Sequence, residues 1–486
     1  MATRIDPDGL RLPIKLDSAS NGEFVPVPLE PHHRHANRLA LEQADAHARR
    51  LGRSRRDFLV SACGAASTLL AMNQAYALAG QRGGFYAIPT EAALDGAAAA
   101  ASVEGSEFIF DVQGHFVNPT GAWLKTLPPG ARPLRFTETG SCAAAALPGP
   151  LDHLQCLGPD AFVRHIFMDS DTDLTVLSFV PSTRAGEPLT IEEAAATAAI
   201  VERLQGTHRL YLHGRVNPNQ EGDIEDMERL AKEFRIAAWK TYTQWGPGGA
   251  AGFFLDDEPG LKMIAEARRL GVRNIAVHKG LPFGPNSYEH STCVDVGRAA
   301  EANPDINFLI YHSGYVTGKP EGPYDPERID GIDALISSVK KAGNPRNVYA
   351  ELGSTWRFLM RNADEAAHAL GKLLVHLGPE HILWGTDSIW YGSPQDQIQA
   401  FRSFQISPEF RERYGYPEIT PEIRAKVFGL NALKIYPVPE EVLAKHLGSD
   451  AVARARENYR NRPDPEFLTY GPKTRREFLN FKAWGG

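Results

Sequence analysis

"FIFDVQGHFVNP", residues 108–119, leads three apolar residues into Asp111 and then sets Gln113 and His115 two positions apart. The run is too short for a helix and is apolar on both faces, the pattern of a parallel strand covered on both sides. Seven similar runs follow: "LTVLSFV" from Leu174, "LYLHGRV" from Leu210, "IAAWKTY" from Ile236, "NIAVH" from Asn274, "NFLIYH" from Asn307, "NVYAEL" from Asn347 and "ILWGTD" from Ile382. Segments of helical period lie between them, such as "DIEDMERLAKEF" and "ADEAAHALGKLLVHLGP", with acids near their starts and Gly or Asn-Pro at their ends. Eight strands with helical crossovers imply an α/β fold of the (β/α)8 TIM-barrel type over residues 105–438. An open dinucleotide-binding sheet would carry G-x-G-x-x-G after its first strand, and "QGHFVNPTGAW" is not that motif. The Pro- and Gly-rich stretch over residues 118–160 is expected to be a large loop at the catalytic end. "PEIRAKVFGLNALKIYPV" reads as the last helix, and residues 439–486 as an Arg-rich tail.

The chain of 486 residues is 43% hydrophobic and 23% charged, the composition of a globular protein. Its formal charge of −7 gives no reason to expect a nucleic-acid partner. Four cysteines (Cys63, Cys142, Cys156, Cys293) form no C-x-x-C pair and no zinc-ribbon spacing, and no disulfide framework is expected.

Residues 1–80 form an N-terminal arm of different character. "SRRDFLVSACGAASTLLAMNQAYALAG" sets Arg55-Arg56 before Phe58-Leu59 and an Ala/Ser/Gly-rich run, with Ala75, Ala77 and Ala79 suited to an A-x-A cleavage site. This resembles a twin-arginine signal and implies the twin-arginine export machinery as a partner and a periplasmic or other extracytoplasmic location, cytoplasmic if the signal is not used. Against that reading, the arginine pair lies some fifty residues in, behind a leader that contains acids. The other reading is a core or amphipathic helix after a polar arm.

In a barrel of this kind chemistry sits at the C-terminal ends of the strands. The register puts Gln113 and His115 there on the first strand, Lys240 on the fourth, His278 on the fifth, His312 on the sixth, Glu351 on the seventh and Asp387 on the eighth. Sixteen histidines are scattered through the chain, so one at a strand end means little. Three histidines and an aspartate at the same end of different strands form a group. "FDVQGH", "IAVHKG", "FLIYHSG", "LWGTDS" and "VFGLNALKIY" together resemble the amidohydrolase superfamily, within it the amidohydrolase-related family that includes aminocarboxymuconate-semialdehyde decarboxylase. The resemblance implies one divalent metal, zinc first and manganese or iron as alternatives, held by His115, His278 and Asp387, with Gln113 in place of a fourth ligand. It implies His312 as an acid/base neighbour, Asp387 as a catalytic group besides a ligand, and a homodimer. Three protein ligands plus water suffice for a catalytic zinc. A neutral Gln carbonyl is a weak ligand and broadens selectivity toward manganese or iron.

Lys240, with Arg215 and Trp245, is expected to bind a small carboxylic or carbonyl substrate. Glu351 is expected to orient a ligand histidine or to serve the fold. The reaction expected first is metal-dependent hydrolysis, in which activated water attacks a carbonyl carbon. Non-oxidative decarboxylation of an aromatic or enoic acid on the same site is the alternative, with a metal-free lactonase-like enzyme beside it. An exported solute-binding protein on a degenerate barrel is the non-enzymatic alternative. No G-x-S-x-G elbow supports a serine hydrolase. His153, His165, His213 and the N-terminal "HHRH" lie off the pattern and read as structural or solvated.

Overall fold

The computed structural model describes residues 6–120, 156–205, 208–283, 287–443 and 447–479. Its strands are numbered here in chain order. A small antiparallel sheet pairs β1 (Gly84–Tyr86) with β10 (Phe404–Ile406). The large sheet is wholly parallel and keeps chain order: β2 (Phe110–Gly114), β3 (Leu174–Leu177), β4 (Leu210–Arg215), β5 (Ile236–Tyr242), β6 (Asn274–His278), β7 (Asn307–Tyr311), β8 (Val348–Glu351) and β9 (Ile382–Leu383). The ring closes between its ends. Val112 N–H donates to the Trp384 carbonyl at 3.0 Å and Asp387 N–H to the Gln113 carbonyl at 2.9 Å, and Gly114 pairs in parallel with Ser388. With helices between the strands this is the (β/α)8 barrel expected from the alternation.

The eight runs become strands because both of their faces are covered. All seven residues of β5 and all five of β6 are buried. Asp111 seals the closure: its buried carboxylate accepts N–H bonds from Thr386 and Gln113, each at 3.0 Å, and the Thr386 hydroxyl. Burial lifts that carboxyl to about 7. Helix ends follow their local signals. Asn362 caps Ala363–His376 through the Glu365 N–H, and Gly271 takes the left-handed conformation after Glu258–Leu270. The expected last helix is interrupted: Pro421–Ala425, a wider five-residue turn Lys426–Leu430, then Asn431–Ile435. Most of the expected loop, residues 121–155, lies outside the described residues. Cys63 and Cys293 are free and buried, whereas Cys156 is disulfide-bonded, a bridge the cysteine spacing does not reveal.

The N-terminal region is packed into the molecule. Helix α1 (Pro31–Arg50) buries Ala36, Ala40, Ala44 and Ala48, one every fourth residue. After the short α2 (Arg55–Leu59), α3 (Ala62–Leu78) meets α1 with buried Gly64, Ala65, Ala71 and Ala75. Small side chains at helical spacing let the two backbones approach closely. Among the described residues no helix is long and apolar enough to cross a membrane. Ahead of α1, Leu12, Ile14, Leu16 and Phe24 are buried, and Lys15 Nζ donates to the carbonyls of Tyr391 at 2.6 Å and Ser393 at 2.7 Å. The C-terminal tail crosses the same end of the barrel. Ser20 N–H donates to Pro472 O at 2.8 Å and Tyr470 N–H to Trp390 O at 2.7 Å.

Candidate active site and metal centre

The strand ends deliver two groups of side chains into one buried region. In the first, His115 Nε2 lies 3.1 Å from Asp387 Oδ1, and Gln113 Nε2 donates to the same oxygen at 3.0 Å. The other Asp387 oxygen accepts from Ser354 Oγ at 2.5 Å and from Asn21 Nδ2 at 2.7 Å. Burial pushes the Asp387 carboxyl up. The hydrogen bond and charge of His115, with His312 and Ser354, outweigh that push and hold it below the usual range. Trp390 stacks on the His115 ring with centroids 5.9 Å apart.

In the second group, His312 Nε2 faces His278 Nδ1 at 3.2 Å. His312 Nδ1 lies 2.7 Å from the Gly353 carbonyl, which fixes the proton on Nδ1 and leaves the Nε2 lone pair facing inward. Tyr242 stacks on His278 with centroids 4.5 Å apart. Burial holds His278 well below its ordinary value and His312 at about 4. Both rings are therefore neutral at neutral pH, the state a metal ligand needs. Glu351 accepts N–H bonds from Gly353 at 2.6 Å and His312 at 3.0 Å, and burial lifts its carboxyl to about 8. Ser354, Asp387, His312 and Ser313 all have positive φ, between 52° and 64°. Such backbone strain gathers at functional sites and is sustained by the surrounding packing.

Lys240, on β5, has no side-chain hydrogen-bond partner among the described residues. Its ammonium sits 3.8 Å from the centre of the Tyr311 ring. Burial lowers it to about 8 against the pull of Glu23, Glu351 and Asp387.

The residues expected from the sequence are not all brought together. His115, Gln113 and Asp387 meet, as do His278 and His312. Arg215 is held elsewhere: Nη1 donates to the Ser182 carbonyl at 3.0 Å and lies 3.4 Å from Asp223, with Glu187 at its other nitrogen. Trp245 is half-buried, and its backbone bonds run to Tyr242 and Asn219. His213 is satisfied in the core by Ser178 Oγ at 3.1 Å and Tyr436 OH at 3.3 Å. His165 ties Asp169 to Tyr470. His153 lies outside the described residues.

Two residues absent from the sequence reading enter from the arm. Asn21 reaches Asp387, and Glu23 Oε1 lies 3.5 Å from His278 Nδ1. Among the described residues, the three ligand-type side chains whose donor atoms lie mutually within 4.8 Å are Glu23, His278 and His312. A divalent metal fits this region. The donors are neutral imidazoles and carboxylates, and His278 Nδ1 faces both Glu23 and His312.

A closed (β/α)8 barrel with imidazoles, a carboxylate and a buried lysine at its C-terminal end defines the class of this protein. The chain belongs to the amidohydrolase family, whose model matches residues 164–438, more than half of its length. No curated protein sequence matches it. Among solved structures it is similar to 2,6-dihydroxybenzoate decarboxylase from Rhizobium, at 13% identity over 68% of this chain and 98% of that one, TM-score 0.40. It is also similar to 5-carboxyvanillate decarboxylase from Sphingomonas paucimobilis, at 13% identity over 69% and 100%, TM-score 0.41. A third is a dihydroxybenzoic acid decarboxylase from Polaromonas sp. JS666 with bound manganese and the inhibitor 2-nitroresorcinol, at 14% identity over 68% and 97%, TM-score 0.41.

Proposed function

We propose that the protein is a metal-assisted enzyme acting on a small organic acid, with non-oxidative decarboxylation of an aromatic or enoic acid favoured over hydrolysis. The observation that carries this reading is Lys240, a buried ammonium without a hydrogen-bond partner among the described residues, seated over an aromatic ring. A desolvated cation of this kind pairs strongly with a carboxylate. The walls are closed off from bulk solvent: Lys240, His278 and His312 are fully buried and His115 is 2% exposed. Losing carbon dioxide turns a charged carboxylate into a neutral molecule and is favoured by exclusion of water. Hydrolysis, in contrast, needs water at the reacting carbon.

His115, His278 and Asp387 would hold the metal, zinc or manganese, with Glu23 and His312 beside them. When bound, the metal supplies positive charge that holds and polarises the substrate. Lys240 binds the substrate carboxylate and orients it. His312, its ring fixed by the Gly353 carbonyl, and Asp387, fixed by Ser354, are placed to carry the proton that replaces carbon dioxide on carbon. The balance is one proton taken up for each carbon dioxide released.

The test is a panel of aromatic and enoic acids, beside lactones, esters and amides, run in heavy water with metal supplied. Carbon dioxide release with one deuterium gained at carbon is expected. Lys240→Met should lower kcat/KM for the acid by about 10–100-fold, the loss of one charged hydrogen bond. Cleavage of lactones, esters or amides without carbon dioxide release would overturn the decarboxylase reading in favour of hydrolysis.

Export as a folded protein through the twin-arginine route is likewise a proposal. Ser54-Arg55-Arg56 before Phe58-Leu59 supports it, as does the disulfide at Cys156, a bond typical of oxidising compartments. A homodimer rests on the family resemblance alone.

A further inference from the structure

We propose that Glu23 is a ligand of the metal, so that the N-terminal arm and the barrel complete the site together. This rests on the metal reading above and adds to it the source of a ligand that the barrel strands do not provide. The first observation is geometric: Glu23 Oε1 lies 3.5 Å from His278 Nδ1, Glu23 Oε2 lies 3.9 Å from His312 Nε2, and the two ring nitrogens are 3.2 Å apart. The Glu23 carboxylate and the His278 nitrogen thus bring ligand atoms to one place, with His312 Nε2 beside them.

The second observation is that the arm is built to hold this carboxylate still. Residues 20–24 fold into a tight turn in which Gly22 has φ +91°, a conformation that favours glycine. Ser20 Oγ accepts from Gly22 N–H at 2.9 Å and donates to the Phe24 carbonyl at 2.5 Å, while Glu23 N–H donates to Asn21 Oδ1 at 2.8 Å. Phe24 anchors the far side, edge-on to Phe358 at 4.7 Å.

The third observation concerns Gln113. It turns its amide nitrogen to Asp387 at 3.0 Å, and its carbonyl oxygen lies against Gly353, where a Cβ would stand 2.0 Å away. Gln113 therefore spends its nitrogen on Asp387, and its buried carbonyl oxygen, without a hydrogen-bond partner among the described residues, is a neutral donor weaker than the Glu23 carboxylate. Asn21 Nδ2 meanwhile touches both Glu23 Oε2, at 2.5 Å, and Asp387 Oδ2, at 2.7 Å. Two carboxylates converging on one amide are relieved by a cation between them.

Two consequences follow. Metal binding stabilises the docked arm, because undocking would strip the metal of its Glu23 ligand. Cleavage after Ala79 would remove Glu23 and Asn21 together, so the working protein keeps its first eighty residues.

The experiment compares the full-length wild type with Glu23→Gln, Glu23→Asp and His278→Ala. Metal affinity is measured by elemental mass spectrometry after dialysis against graded chelator, and ligand environment by the cobalt(II) absorption spectrum. Wild type is expected to hold about one metal per chain. Glu23→Gln is expected to bind at least about tenfold more weakly with an altered cobalt spectrum, Glu23→Asp to recover part of the affinity, and His278→Ala to lose the metal. In wild type, chelation should expose residues 10–30 to limited proteolysis and metal should restore protection, a readout that holds even if Glu23→Gln does not fold. Unchanged affinity and spectrum in Glu23→Gln, or arm protection indifferent to chelation, would overturn the proposal while leaving the metal centre intact. A wild type that binds no metal would overturn both readings.

Discussion

At the scale of single residues, the site is fixed as much by where a side chain is missing as by where one is present. A Cβ at Gly385 would stand 1.5 Å from Glu351 Oε1 and 3.3 Å from the Gln113 Cβ. Gly385 is thus the space into which the Glu351 carboxyl fits while it accepts the His312 and Gly353 N–H groups. Gly385→Ala is expected to destabilise the fold by about 1–3 kcal/mol through overpacking, seen as a lower denaturant midpoint with unchanged slope. An unaltered midpoint would mean that Glu351 swings aside freely and does not position His312. "LWGTDS" points to Asp387 because it joins three histidines at the same end of other strands. The same six letters are silent on Gly385, whose role depends on a neighbour thirty-four positions earlier. Arg215 shows the reverse. Its place at the end of β4 suggests a substrate contact, yet Glu187 and Asp223 lie closer and hold it.

At the scale of elements, the strands were legible and the arm was not. A parallel strand covered on both faces carries its signature in its own composition, so β5 and β6 span the residues of the apolar runs themselves. β9 is shorter than its run, two residues instead of six, because the chain turns after Leu383 to bring Thr386 onto Asp111 and Asp387 into the site. The arm docks by contacts hundreds of residues away in sequence, and nothing local announces them. The start of α1 is one such joint. His33 Nδ1 accepts the Glu30 N–H at 3.0 Å, and Nε2 donates to the Arg361 carbonyl at 2.8 Å. Burial lowers His33 to about 3 from 6.5. Its unfolded form therefore takes up a proton before the folded form does. The stability it contributes is complete above about pH 6.5 and is lost progressively as pH falls toward 3. Protection factors of α1 amides, with the intrinsic pH dependence of exchange divided out, should fall through that window in the wild type, and His33→Gln should flatten the dependence. An α1 profile indifferent to pH in the wild type would remove His33 from this role.

At the scale of the whole molecule, the two chain ends clasp each other across the barrel mouth, and the residues resembling an export signal are part of the clasp. Arg56 is 1% exposed. It donates to Asp464 Oδ1 at 3.0 Å and to the Pro465 carbonyl, and its guanidinium lies 5.1 Å from the centre of the Phe467 ring. Arg55, its neighbour in the pair, is less buried: it donates to the Asp8 carbonyl, at 2.9 and 2.7 Å, and lies 3.6 Å from Asp45. An export receptor reading the sequence needs both arginines, whereas the folded protein needs chiefly the second. Lysine keeps the charge but loses the planar fork that serves Asp464, Pro465 and Phe467 together. Arg56→Lys should therefore lower stability by about 1–3 kcal/mol, and Arg55→Lys should stay within about 0.5 kcal/mol of wild type, both measured as denaturant midpoints of purified protein. Asp464 is partly exposed, with 30% of its side-chain surface accessible, so water can solvate it when the fork is lost and the cost stays below that of stranding a buried charge. Equal midpoints for the two variants would mean that the clasp carries no stability and that the pair is kept for recognition alone. A deficit confined to Arg56→Lys would show one segment serving the fold whatever else reads it.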